Sequence, residues 1–203
     1  MTDSQGTAVQ LLATARALFA EHGYHGTSVR AITHAAGVNL GAITYHFGSK
    51  QALYEATLAS VFGPTASHLA RAVDVDEPAL DRVERFLRGM FDYLGQQPEL
   101  PRMLAHHLAA SLPLPATARD TMRHNLGLLA DIIARGQREG TIREGDPRLL
   151  ALSVIAQPLF LALAGNLLRQ GVMLDQTDQR VLAEVRDSVV RFARLGLARQ
   201  EHP

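Results

Sequence analysis

Cysteine is absent from the 203 residues, which removes disulfides, thiol nucleophiles and thiolate metal sites together. There is no tryptophan, and aromatic residues make up only 5% of the chain. Strand formers are sparse while Leu and Ala dominate, so the composition predicts an all-α protein. The formal net charge is zero, and bulk charge therefore gives no case for a nucleic-acid partner. The first fifty residues hold only Arg16, Arg30 and Lys50 against Asp3 and Glu21. Any polyanion must be met by local placement of donors. Residues 1–10 are polar and lack a basic stretch followed by an apolar run, which predicts a cytoplasmic protein. The apolar stretch 149–165 falls short of the roughly 20 residues a membrane span needs and carries Ser153, Gln157 and Pro158. No membrane partner is expected.

Catalytic signatures are also missing. No glycine-rich phosphate loop follows a strand, no serine elbow occurs, and no carboxylates pair at matched spacing. His106 and His107 are adjacent, so they face different sides of a helix and cannot chelate one metal in the i, i+4 manner. The expectation is a non-enzyme without metal or cofactor.

What the chain does have is helical punctuation. Leu11, Leu12, Ala15, Leu18 and Phe19 recur at helical spacing, with Gly23 as a stop. Thr27 or Ser28 can cap a second short helix carrying Val29, Ile32 and Ala36. Gly37 permits a tight turn, and Asn39 is placed to cap a third helix ending near Phe47. Ser49 caps a longer helix through Leu53, Tyr54, Leu58 and Phe62, which Gly63-Pro64 should interrupt or kink. Further helices are predicted near 78–95, 99–111, 116–139, 147–169 and 177–199, most of them opened by prolines. That makes about nine helices in all.

Short helices joined by a glycine turn make a helix-turn-helix, spanning about 28–47. Its third helix is too short to be stable alone. Besides Leu40 and Ile43 it has few large apolar residues, so its other face must meet something polar. Gly41 and Ala42 keep that face low, while Thr44, Tyr45 and His46 supply donors. Lys50, the single lysine, falls in the first turn of a helix, where a cation meets the positive end of the dipole. A phosphate there would favour both the ammonium and the free N–H groups. Two readings stay open for Lys50, a solvated surface lysine or a phosphate contact. Two also stay open for Tyr45, a buried aromatic or an outward donor.

The run Ala17-Leu18-Phe19, Gly23-Tyr24, Thr27-Ser28-Val29, Ile32, Ala36-Gly37-Val38, Gly41, Tyr45-His46-Phe47, Lys50 and Leu53 closely resembles the DNA-binding domain of the tetracycline-repressor (TetR) family over residues 8–60. Thr33-His34 departs from the alanine often found there and is expected at the helix surface. The resemblance implies an all-α homodimer whose C-terminal domain holds an effector. It implies that Thr27, Tyr45, His46 and Lys50 contact phosphate, with Arg30 within reach. It further implies that Asn39, Leu40, Gly41, Ala42 and Thr44 belong to the recognition helix in the major groove, and that Phe47 is a core anchor.

The expected division is a DNA-binding domain at 5–65 and a helical effector-binding and dimerisation domain at 66–203. Helix 147–169 is apolar nearly all round and must be buried on more than one side. The last helix offers Val181, Leu182, Val185, Val189, Phe192 and Leu195 as one stripe. A four-helix dimer interface and a single monomeric core both fit these two helices. Pro158 should kink its helix beside Gln157, either as a ligand contact or as structure alone. Met90, Tyr93, Met103, His107, Asn125, Gln157, Phe160 and Asn166 are the candidate pocket residues. Arg143 is expected to pair with a carboxylate.

The leading expectation is a regulator of transcription, a repressor released from double-stranded operator DNA by a small, largely apolar effector. A constitutive DNA-binding protein without effector is the alternative, and a small-molecule-binding helical protein that ignores DNA comes third.

Overall fold

A computed structural model describes the backbone of residues 2–199 and the side chains of residues 5–199. Ten helices follow in order: α1 (Thr2–Gly26), α2 (Val29–Ala35), α3 (Ala42–Phe47), α4 (Lys50–Val73), α5 (Ala79–Gln96), α6 (Glu99–Ala109), α7 (Ala116–Arg138), α8 (Pro147–Leu163), α9 (Gly165–Val172) and α10 (Gln179–Leu197). Among the described residues there is no β-strand, only an isolated bridge between Ile142 and Ala198. The all-α expectation stands.

The chain forms two compact units. The first runs to Pro64 and takes in Gln97–Arg119; the second holds Thr65–Gln96 and the chain from Asp120 onward. α4 is one helix with its first part in one unit and its remainder in the other, and Gly63-Pro64 does not end it. α6 lies far along the sequence yet packs on α1. Arg16 fastens it, donating to Gln97 Oε1 at 2.8 Å and Glu99 Oε2 at 2.9 Å. Burial pushes the Glu99 carboxyl up, but the Arg16 hydrogen bond and charge outweigh it and hold the group below its ordinary value.

In the first unit Leu11, Ala15 and Phe19 of α1 are buried with Ile32, Ala36, Ile43, Leu53 and Leu58. α1 leaves helical geometry at Gly23 (φ 69°, ψ 179°) and ends at Gly26. Ser28 is the cap of α2, accepting from the Ala31 N–H at 3.0 Å. Thr33 is not at the surface: it is buried, and its hydroxyl donates to the Val29 carbonyl at 3.1 Å. A residue one turn from Val29 on a seven-residue helix has little choice but to face the core, and a back-bond makes its hydroxyl tolerable there.

The second unit is built on Val83, Phe86 and Leu87 of α5, Leu129 and Ile133 of α7, Ala151 and Val154 of α8, and Val190 and Ala193 of α10. Helix 147–169 is broken, which gives ten helices where about nine were expected. The break falls at Ala164 and not at Pro158, and the two pieces are bent by 72°. Pro158 stays inside α8 with its ring buried. The α10 stripe also divides: Val189 is buried, while Phe192 and Leu195 are exposed. Arg143 finds carbonyls in place of a carboxylate, donating to Gly196 O at 2.7 Å and Glu144 O at 3.3 Å. Among the described residues no single helix is long and apolar enough to cross a membrane.

Gly136 lies against the loop after α7. A methyl group there would stand 2.6 Å from Ile142 Cδ1 and 2.8 Å from Ala79 Cβ. Gly136→Ala is therefore expected to destabilise the protein by about 1–3 kcal/mol through overpacking, read as a lower urea midpoint. An unchanged midpoint would mean the loop yields freely.

Candidate nucleic-acid interface

The turn between α2 and α3 sets the site. Gly37 adopts φ +64°, a conformation costly for any residue with a Cβ, and donates to His34 O at 3.1 Å. Val38 N–H then reaches Thr33 O at 3.0 Å. Asn39 does not cap α3 with its side chain. Its carbonyl accepts from Ala42 N–H at 3.1 Å, and the helix begins after Gly41, which offers no side-chain cap.

α3 has an inner and an outer face. Ala42 and Ile43 are buried, whereas Asn39, Leu40, Gly41, Thr44 and Tyr45 are exposed. Tyr45 is 79% exposed, so it is no core aromatic. His46 is half-buried with its ring edge-on to Tyr45 at 4.8 Å, and Phe47 is half-buried. An open concavity of about 720 Å³ is lined by the turn (Gly37 to Asn39), by Gly41, Ala42, Tyr45 and His46, and by Thr7 of α1. Thr7 was not anticipated, since nothing in the sequence brings the start of α1 beside the turn.

Two of the expected contacts are internal. Thr27 is 1% exposed, and its hydroxyl is directed to Gly23 O at 2.8 Å and Leu18 O at 3.1 Å. It ties the end of α1 to the start of α2 and has no free proton for a phosphate. Ala42 turns inward, so its small side chain serves helix packing and does not lower the outer face. Arg30 is exposed on α2. Lys50 opens α4 beside Ser49, whose hydroxyl accepts from Ala52 N–H at 3.1 Å. Its ammonium lies 4.2 Å from the centre of the Tyr24 ring, and burial lowers its pKa.

Behind this surface lies an aromatic cluster. Phe19 meets Tyr54 edge-on at 5.0 Å, and Tyr24 stands 5.0 Å from Tyr54. Tyr54 Oη and His107 Nδ1 share a hydrogen bond of 3.2 Å. Burial pushes the Tyr54 hydroxyl up to about 12. His107 is buried, and burial lowers its pKa, with a backbone bond at Leu112 opposing.

The candidate pocket residues divide between the two units. Met103 and His107 are buried in the first, on α6. In the second, Phe160 is 58% exposed and Asn166 is exposed, where it accepts from Arg169 and Gln170. Neither lines an interior. Gln157 is half-buried, and Met90 packs against the core. Tyr93 and Asn125 do belong to a polar cluster. Asn125 Nδ2 donates to Thr65 Oγ1 at 3.1 Å, while its buried Oδ1 has no partner. One turn along α4, His68 bonds Gly89 O at 3.1 Å and packs on Tyr93 at 5.4 Å. Thr65 and His68 escaped the sequence reading, though their i, i+3 spacing would put them on one face.

Comparison with known proteins agrees with this geometry. The family model "Bacterial regulatory proteins, tetR family" matches residues 11–57, and "Tetracyclin repressor-like, C-terminal domain" matches residues 80–192. The chain belongs to the TetR family. It is a DNA-binding regulator of transcription, and 11–57 contains the α2-turn-α3 surface described above. The HTH-type transcriptional regulator RutR of Escherichia coli K12 is 27% identical over 183 residues, covering 84% of each chain. The HTH-type transcriptional repressor AcnR of Corynebacterium efficiens is 49% identical over 45 residues, 22% of this chain and 24% of that one. A solved tetR-family regulatory protein from Rhodococcus RHA1 superposes with a TM-score of 0.79 at 20% identity, covering 96% of this chain and 98% of the other.

Two outcomes separate structural from contacting roles in this TetR-family protein. Thr27→Val keeps the shape but removes the hydroxyl, so stability should fall by about 1 kcal/mol while DNA affinity at low temperature is unchanged. A loss of affinity without loss of stability would return Thr27 to the interface. His107 binds protons less readily when folded than when unfolded. Stability should therefore be full above the ordinary histidine value of 6.5 and decline as pH falls through it. His107→Gln should flatten that limb of a pH–Tm profile, and an unflattened limb would assign it to other groups.

Proposed function

We propose that the protein is a homodimeric repressor that sets two α3 helices into successive major grooves of an operator and leaves it when a small effector binds the second unit. It acts by binding, with no chemistry of its own. The observation that carries the DNA reading is the division of α3: Ile43 fixes one face in the core, and Thr44 and the 79% exposed Tyr45 stand on the other. In this reading Asn39, Leu40, Gly41 and Thr44, all exposed, meet base edges. Tyr45, His46, Arg30 and Lys50 meet phosphates in the same reading, and such contacts position a protein without reading sequence.

Dimerisation is supported by large apolar side chains left exposed on α8 and α10. Leu149, Leu152 and Phe160 recur along α8, and Phe192 and Leu195 along α10. Exposed apolar surface on this scale marks an interaction site. A two-fold pair of α3 helices would sit about 34–36 Å apart on the duplex. For the effector, the orphan Asn125 Oδ1 supplies an acceptor next to Thr65, one turn of α4 from the His68–Tyr93 pair. A largely apolar molecule carrying one hydrogen-bond donor suits such a lining. The effector can release DNA only by its differential affinity for the two arrangements. AcnR, 49% identical over 45 residues, is named a repressor.

A mobility shift with the DNA upstream of the protein's own coding region tests the reading. Lys50→Ala should weaken binding alike across sequences and lower the salt slope by about one. Thr44→Ala should change sequence preference with the slope intact. No shift at any salt concentration, or a purified monomer under binding conditions, would sink the proposal. Thermal shift against a panel of apolar compounds tests the effector: a binder raises Tm in the wild type and less in Asn125→Leu. A panel with no such compound would favour a constitutive DNA binder.

A further inference from the structure

Lys50 has an aromatic neighbour where a carboxylate would be the ordinary one. Among the described residues no carboxylate lies within 4.0 Å of it, whereas the Tyr24 ring centre is 4.2 Å from its Nζ. The ring is itself held in place. Tyr54 stands 5.0 Å away, Phe19 6.2 Å and His25 5.2 Å. Tyr54 is 4% exposed and bonded to His107, so the support of the ring is buried and fixed.

We propose that Tyr24 is a positioning residue for DNA binding, whose ring face seats the Lys50 ammonium in its phosphate-contacting pose before DNA arrives. A ring quadrupole attracts an ammonium without neutralising it. A carboxylate in the same place would cancel the charge that a phosphate needs. The seat also restricts a side chain with large rotameric freedom, which DNA would otherwise have to order on binding. One side of the ammonium faces the ring, and the remaining N–H groups stay available. The inference rests on Lys50 being a phosphate contact, and it adds the residue that makes the contact ready-made.

The test uses the full chain and a labelled duplex that the wild type selects from a random-sequence pool, with affinity followed against salt. Each variant is measured where circular dichroism shows it folded like the wild type. Tyr24→Phe keeps the ring face and should bind within about twofold of the wild type, whereas Tyr24→Leu should bind about fivefold more weakly. The salt slope of Tyr24→Leu should stay unchanged, because the lysine still displaces its counterion. Lys50→Ala should lower the slope by about one, and adding Tyr24→Leu to it should cost nothing more. Wild-type affinity in Tyr24→Leu, or Tyr24→Phe as weak as Tyr24→Leu, overturns the ring-face role. A Tyr24→Leu loss that persists in the Lys50→Ala background assigns the effect to packing and overturns it too. An unchanged slope in Lys50→Ala instead defeats the phosphate reading beneath the proposal.

One measurement needs no variant. Because the chain has a single lysine, protein labelled only with isotopic lysine gives one side-chain spin system. Its ε-methylene protons should lie upfield of free lysine from the ring current. A free-lysine position would overturn the seat even if Tyr24→Leu failed to fold.

Discussion

A helix of six residues cannot hold itself together, because it makes too few hydrogen bonds to offset the backbone entropy lost in nucleating it. α3 exists because Ile43 and Ala42 are buried under α2 and the turn at Gly37 delivers it there. This anchoring settles what the rest of the surface can do. With one face committed to the core, Thr44 and Tyr45 have nowhere to point but outward. The same demand explains the buried hydroxyls of Thr27 and Thr33. Each lies where short helices meet, and each hands its proton to a carbonyl of an adjoining turn, so that the supports of α3 are closed before α3 is placed.

The aromatic cluster extends this logic along the first unit. Phe19 and Tyr24 come from α1, Tyr54 from α4 and His107 from α6, so three helices share one packing site. α6 is separated in sequence from the helices it joins, and Arg16 bridging to Gln97 and Glu99 is what makes its return specific. Half-buried ion pairs of this kind add modest stability but select one docking geometry over others. His107 works in the same direction. With Nδ1 engaged by Tyr54 and the ring buried, its neutral form is the one the core favours.

Spacing made much of this legible. Leu11, Ala15 and Phe19 at helical intervals, Ser28 and Ser49 as caps and Gly37 as a turn follow from local rules, and local rules govern short helices. The family resemblance carried the expectation of a recognition helix, and Asn39, Leu40, Gly41 and Thr44 of that segment are exposed. Burial was harder to read. Thr27 and Thr33 look like surface hydroxyls until the neighbouring helices are in place, and Ala42 is equally small on either face. The break at Ala164 was invisible because alanine favours helix, whereas Pro158 drew attention by a backbone defect that α8 absorbs. Phe160 and Asn166 were grouped with Asn125 on residue type alone. Periodicity gives the face of a helix but not which helix it faces, so a pocket shared by several helices is the feature sequence specifies least directly.

Net neutrality gives the single lysine unusual weight. As the first residue of α4, its ammonium is near free N–H groups carrying partial positive charge, which costs a few tenths of a kcal/mol to about 1. The Tyr24 ring returns about 0.5–1 kcal/mol at a partly exposed site. The two terms nearly cancel, so Lys50 adds little to the stability of the isolated protein. A phosphate at the same helix start removes the first cost and leaves the second contribution standing, since it attracts ammonium and N–H groups together. A residue close to neutral for folding and favourable beside a polyanion is what the proposed phosphate contact calls for. With no net positive charge to draw DNA in, the proposed binding rests on a few donors held in advance, for which rigid seating counts for more than added charge.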